Sequence, residues 1–363
     1  MRVLAISSYG VLGGGELSLA EFLAHRPADV DASALLVEDG PLLEHLRSRG
    51  IPASVAGSYD GRPSPAQLAR FTRDLMRLLA ASRPDVVWAT GLKAASMAVP
   101  ACRARRVPLV WHKIDFSLDA WLTPLLGAAV NGVVSVSESV AAALGPLRSR
   151  RLLAVVGPPV RLPAELHVRP NSREPTIGTT ATLTPIKGQR HIIEAAGLLV
   201  DEFPDLRVVL AGAVSADHPG YPQELRDLAA RVGVAERVEL PGFVSDVAGL
   251  LGRLTVFVNA TYRDERGFGM EGLSGAMLEA SWAGLPVVAT RGGGTPEGLR
   301  DGVSGMLVDE ADPPAMAEAL GRYLRDPELA RTAGEAGREF TRERFAPESA
   351  AARLFAALER ARR

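Results

Sequence analysis

Residues 157–183 read GPPVRLPAELHVRPNSREPTIGTTATL, and a change of texture inside this stretch decides the architecture. Pro158, Pro159, Pro163, Pro170 and Pro175 forbid a continuous helix or central strand over 158–175. A short β-type run, TIGTTATL, begins directly after them. The proline-rich segment 158–175 therefore reads as an interdomain linker.

Before the linker, RVLAIS, SALLV, PDVVWAT, PLVWH and GVVSVS alternate with longer amphipathic segments such as ELSLAEFLAH, PAQLARFTRDLMRLLAAS and LKAASMAVPACRARR. After it the pattern restarts. TIGTTATL is followed by a helix expected from about Lys187 to Phe203, then LRVVLAG, a helix near 222–232, RVEL, LTVFVN, a helix near 275–283, PVVAT, GMLV and a helix near 314–325. Apolar strands alternating with crossover helices specify a mainly parallel sheet covered on both faces. The expected fold class is α/β, two Rossmann-like doubly wound domains over 1–157 and 176–340. A last helix, 345–363, carries Ala350, Leu354, Phe355 and Leu358 on one face, suited to packing back on the first domain. Open α/β sheets bind ligands outside the carboxyl ends of their strands, so a cleft between two such domains is the expected site.

Composition narrows the classes. The 363 residues are 47% hydrophobic and 23% charged, ordinary for a soluble globular protein. Lys plus Arg (41) nearly balances Asp plus Glu (42), so no nucleic-acid partner is expected. A single cysteine, Cys102, excludes an intrachain disulfide and a cysteine zinc cluster. The N-terminal run is too short for a signal peptide, and no apolar stretch approaches the ~20 residues of a membrane span. A cytoplasmic protein is expected. The Ala-, Arg- and Gly-rich composition fits a GC-rich bacterial genome. Arg103, Arg105, Arg106, Arg148, Arg150 and Arg151 suit either an anionic lipid surface or plain solvation, and nothing else in the sequence supports a membrane contact.

Three strand-to-helix loops can carry chemistry. Tyr9-Gly10-Val11-Leu12-Gly13-Gly14-Gly15-Glu16 follows the first strand; its glycines either admit a phosphate to a helix N-terminus or form a flexible turn. Leu183-Thr184-Pro185-Ile186-Lys187-Gly188 either aims Lys187 at a diphosphate or leaves it solvated. Glu271-Gly272-Leu273-Ser274-Gly275-Ala276-Met277-Leu278-Glu279 sets two glutamates eight positions apart, with Ser274 as helix cap and Gly284 as stop. Eight helical residues rise ~12 Å, a span that suits a nucleotide sugar. Glu279 then accepts ribose hydroxyls, amides at the helix start hold the diphosphate, and Glu271 reaches the sugar. The alternative is a helix with two solvated glutamates, although Glu279 lies inside the apolar run AMLEASWAGLPVV.

Other patterns fail. Gly267-Phe268-Gly269-Met270-Glu271-Gly272 has dinucleotide-loop spacing, but the polar TYRDERG separates it from its strand. Asp29-Val30-Asp31 precedes a strand instead of ending one. His25, His45, His112, His167, His191 and His218 show no metal spacing, so neither a metal nor a cofactor is expected. His112, ending PLVWH, reads as a core or capping histidine or as a group on the cleft edge.

With these loops placed, the chain resembles family 4 of the retaining nucleotide-sugar glycosyltransferases, which have the GT-B fold. The likeness is strongest over about 176–325, in EGLSGAMLE followed by EASWAGLPVVATRGGGTPEGLRDGVSGMLV. It implies that Gly13, Gly14 or Gly15 gives amides to donor phosphates, that His112 lies near the transferred sugar, and that Lys187 contacts the diphosphate. Glu271 is implied beside the donor sugar and Glu279 on the ribose. Thr182 stands where the family commonly has an arginine, and Leu273-Ser274 where it often has Phe-Gly. The implied reaction moves a hexose-type sugar, from a UDP-sugar above others, to a hydroxyl acceptor on a natural product, glycan or lipid. Its implied machinery is Glu271, His112 and Lys187, with Gly13, Gly14, Gly15, Thr182, Leu273, Ser274, Gly275 and Glu279 on the donor. On that basis Glu279→Gln weakens nucleotide and nucleotide sugar alike, while Glu271→Gln impairs transfer and leaves nucleotide affinity nearly unchanged. A nucleotide-sugar epimerase and a non-catalytic sugar-nucleotide sensor are the rival readings.

Overall fold

A computed structural model describes residues 1–57, 64–116, 122–168, 174–264, 267 and 269–362. Pro170 and Phe268, which figure in the motifs above, lie outside the described residues. The chain divides into two compact units, Met1–Arg161 with Phe345–Arg363, and Leu162–Arg344.

In the first unit β1 (Arg2–Ser7), β2 (Asp31–Leu36), β3 (Ala53–Val55), β4 (Val86–Thr90), β5 (Leu109–Lys113), β6 (Gly132–Ser135) and β7 (Leu152–Val155) are all parallel, in the order β3-β2-β1-β4-β5-β6-β7. Successive strand side chains point to opposite faces, which sorts the apolar runs into two cores. Leu4, Ile6 and Val87 pack with Phe71 and Leu75 of the helix Pro65–Ser82 and with Ala98 of Gly91–Arg105. Val3, Ala5 and Trp88 face the other way, onto Phe22 of Gly14–Ala24 and Leu46 of Pro41–Ser48. The helix Pro347–Arg362 completes that second layer by burying Leu354, Phe355 and Leu358.

The second unit repeats the plan with β8 (Thr176–Thr180), β9 (Arg207–Ala211), β10 (Val238–Gly242), β11 (Val256–Asn259), β12 (Val287–Thr290) and β13 (Met306–Val308), parallel in the order β10-β9-β8-β11-β12-β13. After β8 the chain winds outward through β9 and β10, then returns to lay β11 on the other side of β8. The carboxyl ends of β8 and β11 thus flank the topological switch point, where such sheets hold ligands. Residues 162–168 form neither helix nor strand. They are fastened to this unit: Trp282 Nε1 donates to the Pro163 carbonyl at 3.0 Å, and Val168 N donates to the Ala283 carbonyl at 2.7 Å.

The helix expected from Lys187 to Phe203 is shorter, Gln189–Leu199. Lys187 instead ends a single 3-10 turn, Pro185–Lys187, because Gly188 adopts φ 68° and breaks the helical path. Among the described residues no helix is long and apolar enough to cross a membrane.

Candidate active site

The turn after β8 is set by one contact. A Cβ on Gly188 would lie 2.0 Å from the Ala260 carbonyl oxygen, directly after β11, so only glycine lets the two loops meet. Gln189 is fully buried and its Nε2 donates to the Thr182 carbonyl at 2.9 Å, tying the turn back to the end of its own strand. Thr182 itself is exposed. The consequence is that Lys187 is brought against the loop following β11.

There Lys187 Nζ donates to Glu271 Oε1, and the two side chains are 23% and 17% exposed. Asn259 Nδ2, at the end of β11, donates to Glu271 Oε2 at 3.3 Å. The nearby Ser274 side chain also favours the ionised form of the same carboxylate. The Glu271 backbone is held as well, its carbonyl accepting from Gly294 N at 2.9 Å in the loop after β12. Burial pushes the Glu271 pKa up, but the Lys187 charge, the hydrogen bonds from Lys187 and Asn259, and the Ser274 side chain outweigh it and hold the carboxyl below its ordinary range. Glu271 therefore faces Lys187 as a carboxylate at neutral pH.

Ser274 caps the helix Gly275–Ala283, its Oγ accepting from Met277 N at 3.4 Å, and Gly284 at φ 97° ends it. Residues 271–274 precede the helix, so the ~12 Å helical rise between the two glutamates does not apply. Glu279 is the fifth residue of nine, about one turn inside, and is 4% exposed. Leu273 is half-buried.

In the first unit the loop after β1 is locked at one end and open at the other. A Cβ on Gly10 would strike the backbone of Asp39 and Gly40 at 2.5–2.6 Å, whereas one on Gly14 would meet nothing within 4 Å among the described residues. Gly13 is the N-cap of Gly14–Ala24, and a Cβ on Gly15 would meet Ile114 Cδ1 at 3.1 Å. Gly275, the first residue of its helix, is as open as Gly14, and neither adopts a positive φ. Neither backbone strain nor packing calls for glycine at Gly14 or Gly275, and glycine is a poor helix former. A ligand against the backbone would call for it.

His112 lies one residue before the end of β5 and is 4% exposed, with its ring against Phe22 at 5.9 Å and Trp88 at 5.8 Å between centroids. Among the described residues neither ring nitrogen has a hydrogen-bond partner of ordinary geometry. Burial pushes its pKa down to about 4, with the Val156 backbone working weakly the other way. A neutral imidazole results, able to share one hydrogen bond but not to supply a cation.

Thus Lys187, Glu271 and Ser274 come together in one place, beside the start of the helix that carries Glu279. Asn259 and Thr261, which sequence reasoning missed, complete that place. Their only sequence signal is two polar residues closing the apolar run VFVNAT. Asp29 and Asp31 sit at the amino end of β2, where the Met1 amino group donates to the Asp29 carbonyl and Asp31 N donates to the Met1 carbonyl, away from the carboxyl strand ends.

The sequence model of a family described as "Glycosyl transferases group 1" matches residues 174–326. The GDP-mannose-dependent alpha-(1-6)-phosphatidylinositol monomannoside mannosyltransferase of Mycolicibacterium smegmatis is 33% identical over 182 residues, covering 50% of this chain and 46% of that protein, so the match spans under half of that relative's length. A D-inositol 3-phosphate glycosyltransferase of Streptomyces bingchenggensis is 30% identical over 339 residues, 82% of this chain and 72% of that protein. The crystal structure of Anabaena Alr3699/HepE in complex with UDP superposes with a TM-score of 0.85 at 22% identity, covering 99% of this chain and 100% of that one. At that identity the likeness establishes the fold, which is GT-B.

Proposed function

The chain belongs to the group 1 glycosyl transferase family, and on that premise we propose that it moves a hexose-type sugar from a nucleoside-diphosphate sugar to a hydroxyl acceptor with retention of configuration. The observation that carries the donor reading is the Lys187–Glu271 pair at the switch point of the second sheet, beside a capped helix start whose Gly275 has open space. UDP is the proposed nucleotide, supported by the HepE structure solved with it, whereas the mannosyltransferase relative is by name GDP-mannose-dependent.

In the proposed reaction the bond from the anomeric carbon to the phosphate oxygen breaks and the acceptor oxygen bonds to that carbon on the same face. The acceptor proton passes to the departing phosphate oxygen, and no protein nucleophile is required. The Lys187 ammonium and the amides of Leu273, Ser274 and Gly275 stabilise the charge that grows on the leaving diphosphate. Glu271 accepts from the sugar hydroxyls and Glu279 from the ribose. The amides of Gly13, Gly14 and Gly15 contact donor phosphate, Thr182 stands beside the diphosphate in place of a cation, and neutral His112 shares a hydrogen bond with the transferred sugar. Charge stabilisation by these groups requires no metal ion.

The deciding experiment incubates the protein with UDP-glucose, UDP-galactose or GDP-mannose and an acceptor panel, then follows nucleotide release and product mass. A glycoside formed together with free nucleotide supports transfer. An isomerised donor that forms without acceptor would establish an epimerase instead, and nucleotide-sugar binding without turnover a sensor.

A further inference from the structure

We infer that Asn259 is a positioning residue that keeps Glu271 aimed at the donor sugar once the donor's diphosphate has taken the Lys187 ammonium. This inference rests on the donor reading above. The ammonium that now pairs with Glu271 is the one assigned to the diphosphate, so donor binding draws away the carboxylate's cationic partner. A buried carboxylate stripped of its partner tends to turn away or take up a proton. Among the described residues the other groups on Glu271 are Asn259, from β11, and Ser274, from the helix cap, both uncharged. They stay in place when Lys187 changes partner.

The Asn259 amide has one allowed orientation. An ionised carboxylate only accepts, so the amide must present its NH2 to Glu271 and its oxygen elsewhere. Thr261 Oγ1 donates to that oxygen at 3.0 Å. Thr290 Oγ1, at the end of β12, donates its single hydrogen to the Thr261 carbonyl, with the Asn259 carbonyl 3.4 Å away. The side-chain bonds run one way, from Thr261 through Asn259 to Glu271, while Thr290 holds the backbone of the two residues that carry them. Asn259 and Thr261 are 6% and 5% exposed, so water is a poor substitute for either. The strand ends of β11 and β12 thus form a rigid mount for one carboxylate, with Oε1 left for a sugar hydroxyl when Lys187 departs.

The test is Asn259→Asp, which keeps shape and still accepts from Thr261, but removes the N–H and opposes one carboxylate to another. Carboxyl-carbon NMR titration of Glu271 in the ligand-free protein should show its pKa raised by about one unit or more. With a nucleotide-sugar donor, the acid limb of the kcat profile should move to higher pH in step, and kcat at neutral pH should fall about tenfold while UDP affinity changes less than about twofold. Thr261→Val, which frees the amide to rotate, should act in the same direction more weakly and serves where Asn259→Asp folds poorly. A folded Asn259→Asp with an unshifted Glu271, or with a shifted Glu271 and an unchanged kcat profile, overturns the role given to Asn259. A wild-type protein that binds neither UDP nor GDP and turns over no nucleotide sugar overturns the donor reading and this inference with it.

Discussion

Lys187 and Glu271 stand 84 positions apart in the chain, yet their side chains form an ion pair in the ligand-free protein. The pair alters what Glu271→Gln should do. From the sequence, that substitution leaves nucleotide affinity nearly unchanged. In the structure a diphosphate must compete with Glu271 for the Lys187 ammonium, so removing the carboxylate's charge frees the cation. UDP should bind Glu271→Gln about two- to fivefold more tightly, the scale of a partly exposed ion pair, while transfer falls. Calorimetry with UDP decides; affinity that is weakened would mean that Glu271 does not compete for that site.

Gly14 and Gly275 make a second prediction, because neither is required by backbone or packing. Ala at either position should leave the ligand-free protein as stable as before, or more stable by up to about 1 kcal/mol. The added methyl group should nonetheless weaken UDP-sugar binding, since it occupies the space a phosphate needs to reach the helix amides. Thermal melting and donor titration on the same samples separate the two effects. A stabilised Gly275→Ala with wild-type donor affinity would remove that helix start from the site.

Buried His112 should leave a mark on stability against pH. Its folded pKa, about 4, lies below the ordinary histidine value of 6.5. The unfolded chain therefore binds this proton first as pH falls. The contribution of neutral His112 is complete above the ordinary value and is lost between there and about 4, by on the order of 3 kcal/mol in total. Urea unfolding of wild type and His112→Phe from neutral pH downward checks this. Wild type should lose stability through that window more steeply than the variant, and parallel curves would show that His112 is not the group responsible.

Much of this was legible in the chain itself. Strands of a parallel sheet are buried on both faces, so VVWAT or VFVN stands out as an apolar run between turn signals. Ser274 and Gly284 mark their helix because a cap and a left-handed stop depend on local residues alone. What depends on strand order was not legible. Asn259 matters because β11 lies between β8 and β12, a neighbourhood that no local pattern reveals. The burial of His112 likewise depends on which face of β5 its position selects and on Phe22 and Trp88 arriving from other elements. The turn at Lys187 was legible from Pro185 and Gly188, but the helix after it was expected to start two residues early because nothing local shows that Gly188 must pass within contact of Ala260.

Chelation should leave most turnover intact. The proposed charge stabilisation comes from Lys187, helix amides and glycine-loop amides, which EDTA does not touch. Complete loss of turnover that added metal restores would contradict this. Thr182→Arg is a companion variant; adding a cation beside the turn should tighten UDP binding in a calorimetric titration.

The most direct measurement is the initial rate of UDP release from a UDP-sugar, with acceptor present, for wild type and Lys187→Ala. The Lys187 ammonium is assigned to a diphosphate whose negative charge grows as it departs, so kcat/KM should fall by ~10²-fold or more, with kcat lowered as well as KM raised. Near-wild-type rates in a folded Lys187→Ala would contradict the assignment of the donor to the crevice between β8 and β11.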